Sequence, residues 1–168
     1  MKEYAIADGD KVEKYHIALL FNAGTSESPD WKQLCKATEN TISLNPETED
    51  LDFIVDKAPT TIIKRYKPSL NNPLTLYKGE DDYEYFWPKF YKLPTGANAG
   101  GEMLIVFMNE KNTGKYDAWK CNVTYVLDSL DPVNSTLTFT TQVNGTVEEG
   151  TVAVDEDGVP TFTKAVAA

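Results

Sequence analysis

Histidine and cysteine, the side chains best suited to chemistry, are scarce in this sequence. His16 is the only histidine, and it falls in a strand-like pattern without a serine motif or a glycine-rich elbow beside it. Because a catalytic nucleophile needs an adjacent activating base, His16 is interpreted as a structural residue. Cys35 and Cys121 are far apart in sequence and lack the spacing of metal ligands, so we expect two reduced thiols.

Two acidic clusters could bind a metal ion, but each has a simpler structural interpretation. Asp81, Asp82 and Glu84 come at the start of a helical pattern, where carboxylates favour the positive end of the helix dipole. Residues 155–158 lack the spaced ligands and distal glutamate of an EF-hand and match a hairpin turn. The sequence therefore predicts no catalytic residue, no metal, no cofactor and no enzymatic activity. A small hydrolase with a carboxylate pair that the sequence does not single out is the remaining enzymatic alternative.

The chain is acidic overall, but its charge is unevenly distributed. It carries 26 Asp and Glu against 16 Lys and Arg, a net charge of −10, and tight binding of nucleic acid needs clustered basic residues instead. Residues 58–78 contain four basic residues and no acid. Such a segment between acidic flanks is typical of a solvated loop or of one half of a subunit contact. The candidate subunit-contact residues are Lys64, Arg65 and Lys67.

The apolar runs are too short to cross a membrane. The longest, residues 17–21 and 103–108, fall well below the roughly 20 residues that a spanning helix needs. The first eight residues have no apolar core of the kind found in signal peptides. We therefore expect synthesis in a cytoplasm and no membrane partner.

The last third of the chain predicts consecutive β-strands. Residues 119–127 and 136–143 alternate between apolar and polar side chains, as half-buried strands do. Asn144-Gly145 and Asp157-Gly158 accept the positive φ angles of two-residue hairpin turns. The sequence therefore predicts hairpins at both dipeptides, with closing strands at 146–154 and 159–162.

The rest of the chain is predicted to form further strands that are joined by loops. Residues 41–44 and 51–55 are interpreted as a hairpin pair, and residues 67–73, with two prolines and two asparagines, as an exposed loop. Within the predicted strand 102–109, residues 103–108 are all apolar, which indicates a strand buried on both faces. The remaining predicted strands are 11–21, 60–66 and 74–77.

One segment has helical periodicity. Its aromatic residues recur at i, i+3, i+4, i+7 and i+8, which places them on one face of a helix. Asp81 and Asp82 are plausible N-caps, and Pro88 predicts a kink or two short helical pieces. We expect the aromatic face to be buried, with Trp87 and Phe90 as its anchors. The aromatic residues are Tyr83, Phe86, Trp87, Phe90 and Tyr91.

This order of strands, one helix and further strands predicts a mainly β protein. The expected architecture is two packed antiparallel sheets, a β-sandwich or barrel, with one flanking α-helix. No low-complexity linker or internal repeat divides the chain, so residues 1–168 are expected to form a single domain.

Residues 59–163 resemble the major tail protein, or tail tube protein, of long-tailed bacteriophages. The resemblance rests on the order of the strand pair at 60–77, the helical segment at 81–93, the apolar strand at 103–108 and the closing strands. The Gly- and Thr-rich phrase at 143–152, Val-Asn-Gly-Thr-Val-Glu-Glu-Gly-Thr-Val, is similar to the ends of such proteins. The family is related to the type VI secretion tube protein.

The resemblance implies a structural subunit of a virion tail. In this family six copies close into a ring, and the rings stack into a tube that conducts DNA. Its partners would be other copies of the chain, the tape measure protein, and the tail terminator and distal tail proteins, with DNA only in transit. Assembly would take place in the cytoplasm of the bacterial host.

A tube of this kind needs an inner wall that does not trap DNA. A neutral or negative wall repels phosphate, and the polar strand faces are the candidates for it. Thr136, Thr138, Thr140 and Glu148 are the predicted lumen-facing residues. The alternative function is a monomeric β-sandwich module that binds a carbohydrate or another ligand through the aromatic segment.

Overall fold

A computed structural model describes residues 1–2, 4, 6–55, 57–112 and 114–165 of the 168. Within these ranges ten strands and one α-helix follow one another, with short 3₁₀ turns at Lys14–His16 and Gly96–Ala99. The strands are β1 (Ile17–Asn22), β2 (Trp31–Gln33), β3 (Thr41–Ser43), β4 (Pro46–Leu51), β5 (Thr60–Tyr66), β6 (Ser69–Thr75), β7 (Gly100–Asn112), β8 (Lys115–Asp131), β9 (Thr136–Val154) and β10 (Pro160–Lys164), and α1 spans Asp81–Lys92.

Eight strands form one antiparallel sheet that closes on itself. The strand order is β2-β1-β7-β8-β9-β6-β3, and β10 pairs with β9. Residues 31–43 join the two ends of this order: β2 pairs with β1, Ala37 bridges Leu74 of β6, and β3 pairs with β6. Since the single segment 31–43 pairs with β1 at its start and with β6 at its end, the sheet curls into a barrel.

The other two strands form a separate ribbon. β4 pairs with β5 in a two-stranded antiparallel sheet, called here the β4–β5 hairpin. All seven residues of β5 are exposed. The prediction of a mainly β protein with two antiparallel sheets and one helix is confirmed, and the strands are divided eight to two between the sheets.

The barrel has apolar side chains on both faces of its central strands. Met103 and Ile105 of β7 point into the main core. Leu104 and Val106, which alternate with them, join a second core on the outer face. The interpretation of this strand as buried on both faces is confirmed. Met1 and Ile6 near the N-terminus, Val154 of β9 and Phe162 of β10 pack against the outer core.

The helix α1 is continuous and covers the main core. It begins after Glu80, which is the N-cap, so the prediction that Asp81 or Asp82 is the cap was wrong. Pro88 lies within the helix without dividing it into two pieces. A proline removes one hydrogen bond to the carbonyl four residues earlier, and that residue, Glu84, is exposed, where water can hydrate its carbonyl.

The buried side of α1 also differs from the predicted aromatic face. Phe86 is fully buried, whereas Trp87 and Phe90 are only partly buried and Tyr91 is 79% exposed. Trp87 stacks on Tyr83 with 5.3 Å between ring centroids. Phe86 is therefore the central anchor, because only one edge of the aromatic stripe faces the barrel.

Several predicted connections were wrong because strand partners are set by the tertiary fold. The predicted hairpin between 41–44 and 51–55 is absent: β3 pairs with β6, and β4 pairs with β5. The predicted loop at 67–73 is largely β6. In β6 the side chain of Asn72 is buried and accepts a hydrogen bond from the Thr141 hydroxyl at 3.2 Å.

The two predicted glycine turns differ in outcome. Asp157-Gly158 makes the turn between β9 and β10, with φ +78° at Gly158, as predicted. Asn144-Gly145 does not reverse the chain, because β9 continues through it. The pairing passes from Asn122–Asn144 to Lys120–Glu148, so two extra residues of β9 form a bulge in which Gly145 adopts φ +69°.

Candidate assembly surfaces

The three predicted contact residues lie on the β4–β5 hairpin and pair with acids of the same hairpin. Lys64 Nζ lies 3.0 Å from Glu49 Oε2. Arg65 and Lys67 both pair with Glu47, and their hydrogen bonds lower the pKa of that carboxyl to about 2. That these cations also contact acids of a neighbouring subunit stays a prediction. Sequence analysis missed their partners because residues 45–50 are interpreted there as the connection of a hairpin, whereas β4 spans Pro46–Leu51.

The same hairpin exposes apolar side chains. Ile62 and Ile63 are 39% and 53% exposed. At the tip, Phe53, Ile54 and Val55 are 57%, 106% and 89% exposed. We call these three consecutive residues the apolar tip. The prediction that residues 51–55 form one strand of a hairpin is wrong beyond Leu51, where β4 ends, because Phe53, Ile54 and Val55 lie in the connection to β5.

The predicted lumen residues lie on one outward face of the barrel sheet. Thr136, Thr138 and Thr140 alternate with buried Leu137 and Phe139, so their side chains point away from the core. Across β9 they pair with residues of β6 and β8. The cross-strand partners are mostly uncharged: Asn71, Pro73, Thr75, Val126, Ser129 and Asp131.

Glu148 lies on the same strand, beyond the bulge. Its cross-strand partner is Lys120, and its carboxylate accepts a hydrogen bond from Lys164 Nζ at 2.9 Å. That hydrogen bond lowers the pKa of the Glu148 carboxyl. Lys120 and Lys164 offset the charge of Glu148. The face that carries Thr136, Thr138 and Thr140 is called here the threonine face, and Asp131 is the charged residue among the cross-strand partners of these three threonines. That any of these residues lines a lumen stays a prediction.

The residues considered for catalysis or metal binding lie in ordinary structural environments. His16 is buried, and its Nδ1 accepts the backbone N–H of Glu13 at 2.9 Å. Asp155 Oδ1 accepts the N–H groups of Asp157 and Val159 at the β9–β10 turn. Cys35 and Cys121 are both free thiols, and burial raises the pKa of Cys121 to about 12. No cluster suited to a metal ion occurs within the described ranges.

Asp82 joins the helix to the segment that closes the barrel. Its Oδ2 accepts the backbone N–H groups of Cys35 and Lys36 at 3.1 and 2.9 Å. Burial of the carboxyl raises its pKa, although the two N–H donors act in the opposite direction. The acidic residue interpreted as a helix cap is thus a link between α1 and the chain after β2.

No helix in the part of the chain that the structure describes is both long and apolar enough to traverse a bilayer.

Comparison with known proteins gives a likeness of fold. No family model and no curated protein matches the sequence. Among solved structures, a chain described as the tail of an empty GTA (gene transfer agent) particle, computed with C6 symmetry, is 12% identical, with a TM-score of 0.53. The match covers 77% of this chain and 92% of that one. A chain from the baseplate of the anti-feeding prophage is 10% identical, with a TM-score of 0.46 over 84% and 96% of the two chains. The first likeness shows that this chain has a fold that occurs in the tail of a phage-like particle.

Proposed function

We propose that this chain is a structural subunit of a tail tube, in which copies assemble into rings that stack around a channel for DNA. The observation that carries the proposal is the β4–β5 hairpin, a ribbon separate from the barrel with exposed apolar side chains along it and at its tip. Large apolar side chains grouped on a protrusion are typical of a surface that is covered by a partner.

The likeness of fold supports the kind of assembly. A fold by itself hosts many functions, but the match covers 92% of a chain from a particle tail that was computed with C6 symmetry. We therefore propose six copies in each ring and a structural rather than a catalytic role. The tape measure, tail terminator and distal tail proteins would be the partners of the tube, which would assemble in the host cytoplasm as part of the virion tail.

The uncharged strand face supports the proposed channel. Thr136, Thr138 and Thr140 present hydroxyl groups and no positive charge. Duplex DNA binds strongly where basic residues displace its counterions, so a neutral face would let DNA pass. We assign this face to the lumen.

The proposal is tested by sedimentation velocity over a concentration series and negative-stain electron microscopy of the purified chain. We expect rings at high concentration and tubes when assembly is nucleated. Ile63→Lys, on the hairpin, should weaken assembly. Val133→Lys is the matched control, because Val133 is 88% exposed on the β8–β9 turn. Monomers at all concentrations would contradict the proposal.

A second candidate function is a monomeric module that binds a carbohydrate. It rests on the stacked Tyr83–Trp87 pair and the exposed Tyr91 on the outer side of α1, because aromatic faces offer stacking surfaces. A glycan array tests it: binding that Trp87→Ala abolishes, by a chain that stays monomeric, would favour this function over the tube.

A further inference from the structure

The apolar tip is unusual for a hairpin connection. Turns normally carry Gly, Asn, Asp, Ser or Pro, whereas this one presents Phe53, Ile54 and Val55 with more than half of each side chain exposed. The removal of apolar side chains from water is favourable in proportion to the area that is covered. A partner surface that covers the tip would therefore gain affinity from all three residues.

An apolar cavity of about 610 Å³ lies at the base of the same hairpin. Trp119 and Val147 form its inner wall and pack against the main core. Leu44 and Tyr66, which are 46% and 51% exposed, form its outer wall. Arg65, Pro68, Gly145, Thr146 and Glu149 complete the lining. The cavity thus opens the barrel core to the surface beside the bulge of β9.

The geometry of the hairpin prevents a chain from filling its own cavity. Leu44 and Tyr66 stand at the base of the hairpin, and β4 has six residues. At about 3.3 Å per residue the apolar tip lies roughly 20 Å from that base. The apolar tip therefore does not reach the cavity of its own chain, but the tip of a second copy has suitable chemistry for it.

Charged residues flank both surfaces in a complementary way. Asp52 and Asp56 flank the apolar tip in the sequence, with Lys57 one position further on, while Arg65 and Glu149 stand at the rim of the cavity. Arg65 can turn to a second acid because Glu47 also pairs with Lys67. Exposed pairs add little affinity, but complementary charges fix the orientation of docking.

We infer that the cavity between Trp119 and Tyr66 receives the apolar tip of a second copy of this chain. The inference rests on the proposed self-assembly and names the two surfaces that meet. Because tip and cavity are different surfaces, a head-to-tail contact leaves one tip and one cavity free to bind further copies. Repeated contacts of this kind build a closed ring or an open filament.

Site-directed cross-linking tests the contact. Ile54→Cys and Thr146→Cys are made separately in a Cys35→Ser background, so that Cys121, which is 1% exposed, is the remaining native thiol. The two variants are mixed and treated with a short bismaleimide. We expect a cross-linked dimer from the mixture. Ile54→Cys mixed with Val133→Cys is the matched control, which should give none.

Assembly measurements complete the test. Ile54→Asp and the cavity-filling Thr146→Trp should each raise the concentration needed for assembly by at least about tenfold, while Val133→Asp should not. Assembly that survives Ile54→Asp, or the absence of a 54–146 cross-link in assembled protein, overturns the inference and leaves the proposed function intact. A wild-type chain that stays monomeric overturns both.

Discussion

Phe86 anchors helix α1 to the barrel. Its ring lies 5.6, 5.2 and 4.6 Å, between centroids, from those of Phe21, Tyr125 and Phe139. Truncation of a buried aromatic residue to alanine costs about 3–5 kcal/mol, a large part of a typical stability of about 5–15 kcal/mol. We expect Phe86→Ala to lower the free energy of unfolding by about that amount in urea denaturation. Trp87→Ala is the control and should cost clearly less; equal losses would contradict the assignment.

At the scale of a single residue, Asp82 makes the free energy of unfolding depend on pH. Its pKa is raised above the ordinary 3.8, chiefly by burial, so the folded state binds more protons than the unfolded state just above that pH. The contribution of Asp82 to stability therefore falls as the pH rises through this window. Asp82→Asn keeps an oxygen acceptor for the two N–H groups and loses the titration.

The measurement for Asp82 is the difference in unfolding free energy between the wild type and Asp82→Asn at several pH values. The unfolding free energy of the wild type should fall relative to that of Asp82→Asn as the pH rises from 3.8 to neutral. The difference should then become constant. The buried amide nitrogen of the variant adds a cost that does not change with pH. A difference that is independent of pH would show that Asp82 ionises in the folded protein as it does in water.

At the scale of elements, the β4–β5 hairpin is held by cross-strand charges. The folded pKa of Glu47 is about 2, against an ordinary 4.5. Its ion pairs therefore contribute fully above 4.5, and that contribution is lost as the pH falls through about 2. Protection factors in amide hydrogen exchange, which are corrected for the pH dependence of the intrinsic exchange rate, should fall for β4 and β5 in the wild type as the pH is lowered over this range.

The variant Glu47→Gln should show the effect at neutral pH. Because Glu47 pairs with both Arg65 and Lys67, its loss should speed trypsin cleavage after Lys57 more than Glu49→Gln does. Glu49 is the matched control, since its pair is with Lys64. Equal cleavage rates for the two variants would show that the hairpin does not depend on the Glu47 pairs.

At the scale of the whole molecule, the charge of the threonine face should decide whether an assembled tube retains duplex DNA. The double variant Thr138→Lys/Thr140→Lys should make tubes retain duplex DNA at low salt and release it as salt rises, because added cations displace DNA counterions. Wild-type tubes and Thr161→Lys tubes, the latter altered at an exposed position of β10, should pass DNA without retention. Retention by the wild type, or no change in the double variant, would contradict the assignment of this face to the lumen.

Local patterns in the sequence determined the kinds of elements. Successive apolar residues made β7 a doubly buried strand, the aromatic spacing produced α1, and Asp157-Gly158 produced a turn. These features are set by side-chain periodicity and by φ angles, which neighbouring residues determine. A mainly β fold with one helix followed from them.

Only the tertiary structure decided which strands meet and which surfaces stay exposed. Segment 67–73 carries the residues of a loop, but burial of Asn72 beside Thr141 makes it a barrel strand. The partners of Lys64 and Arg65, the closure of the barrel through residues 31–43 and the apolar cavity at Trp119 each join segments distant in sequence. The physical reason is that strand pairing and burial depend on the whole set of partners in space, and a local pattern gives a strand its faces without specifying its neighbour.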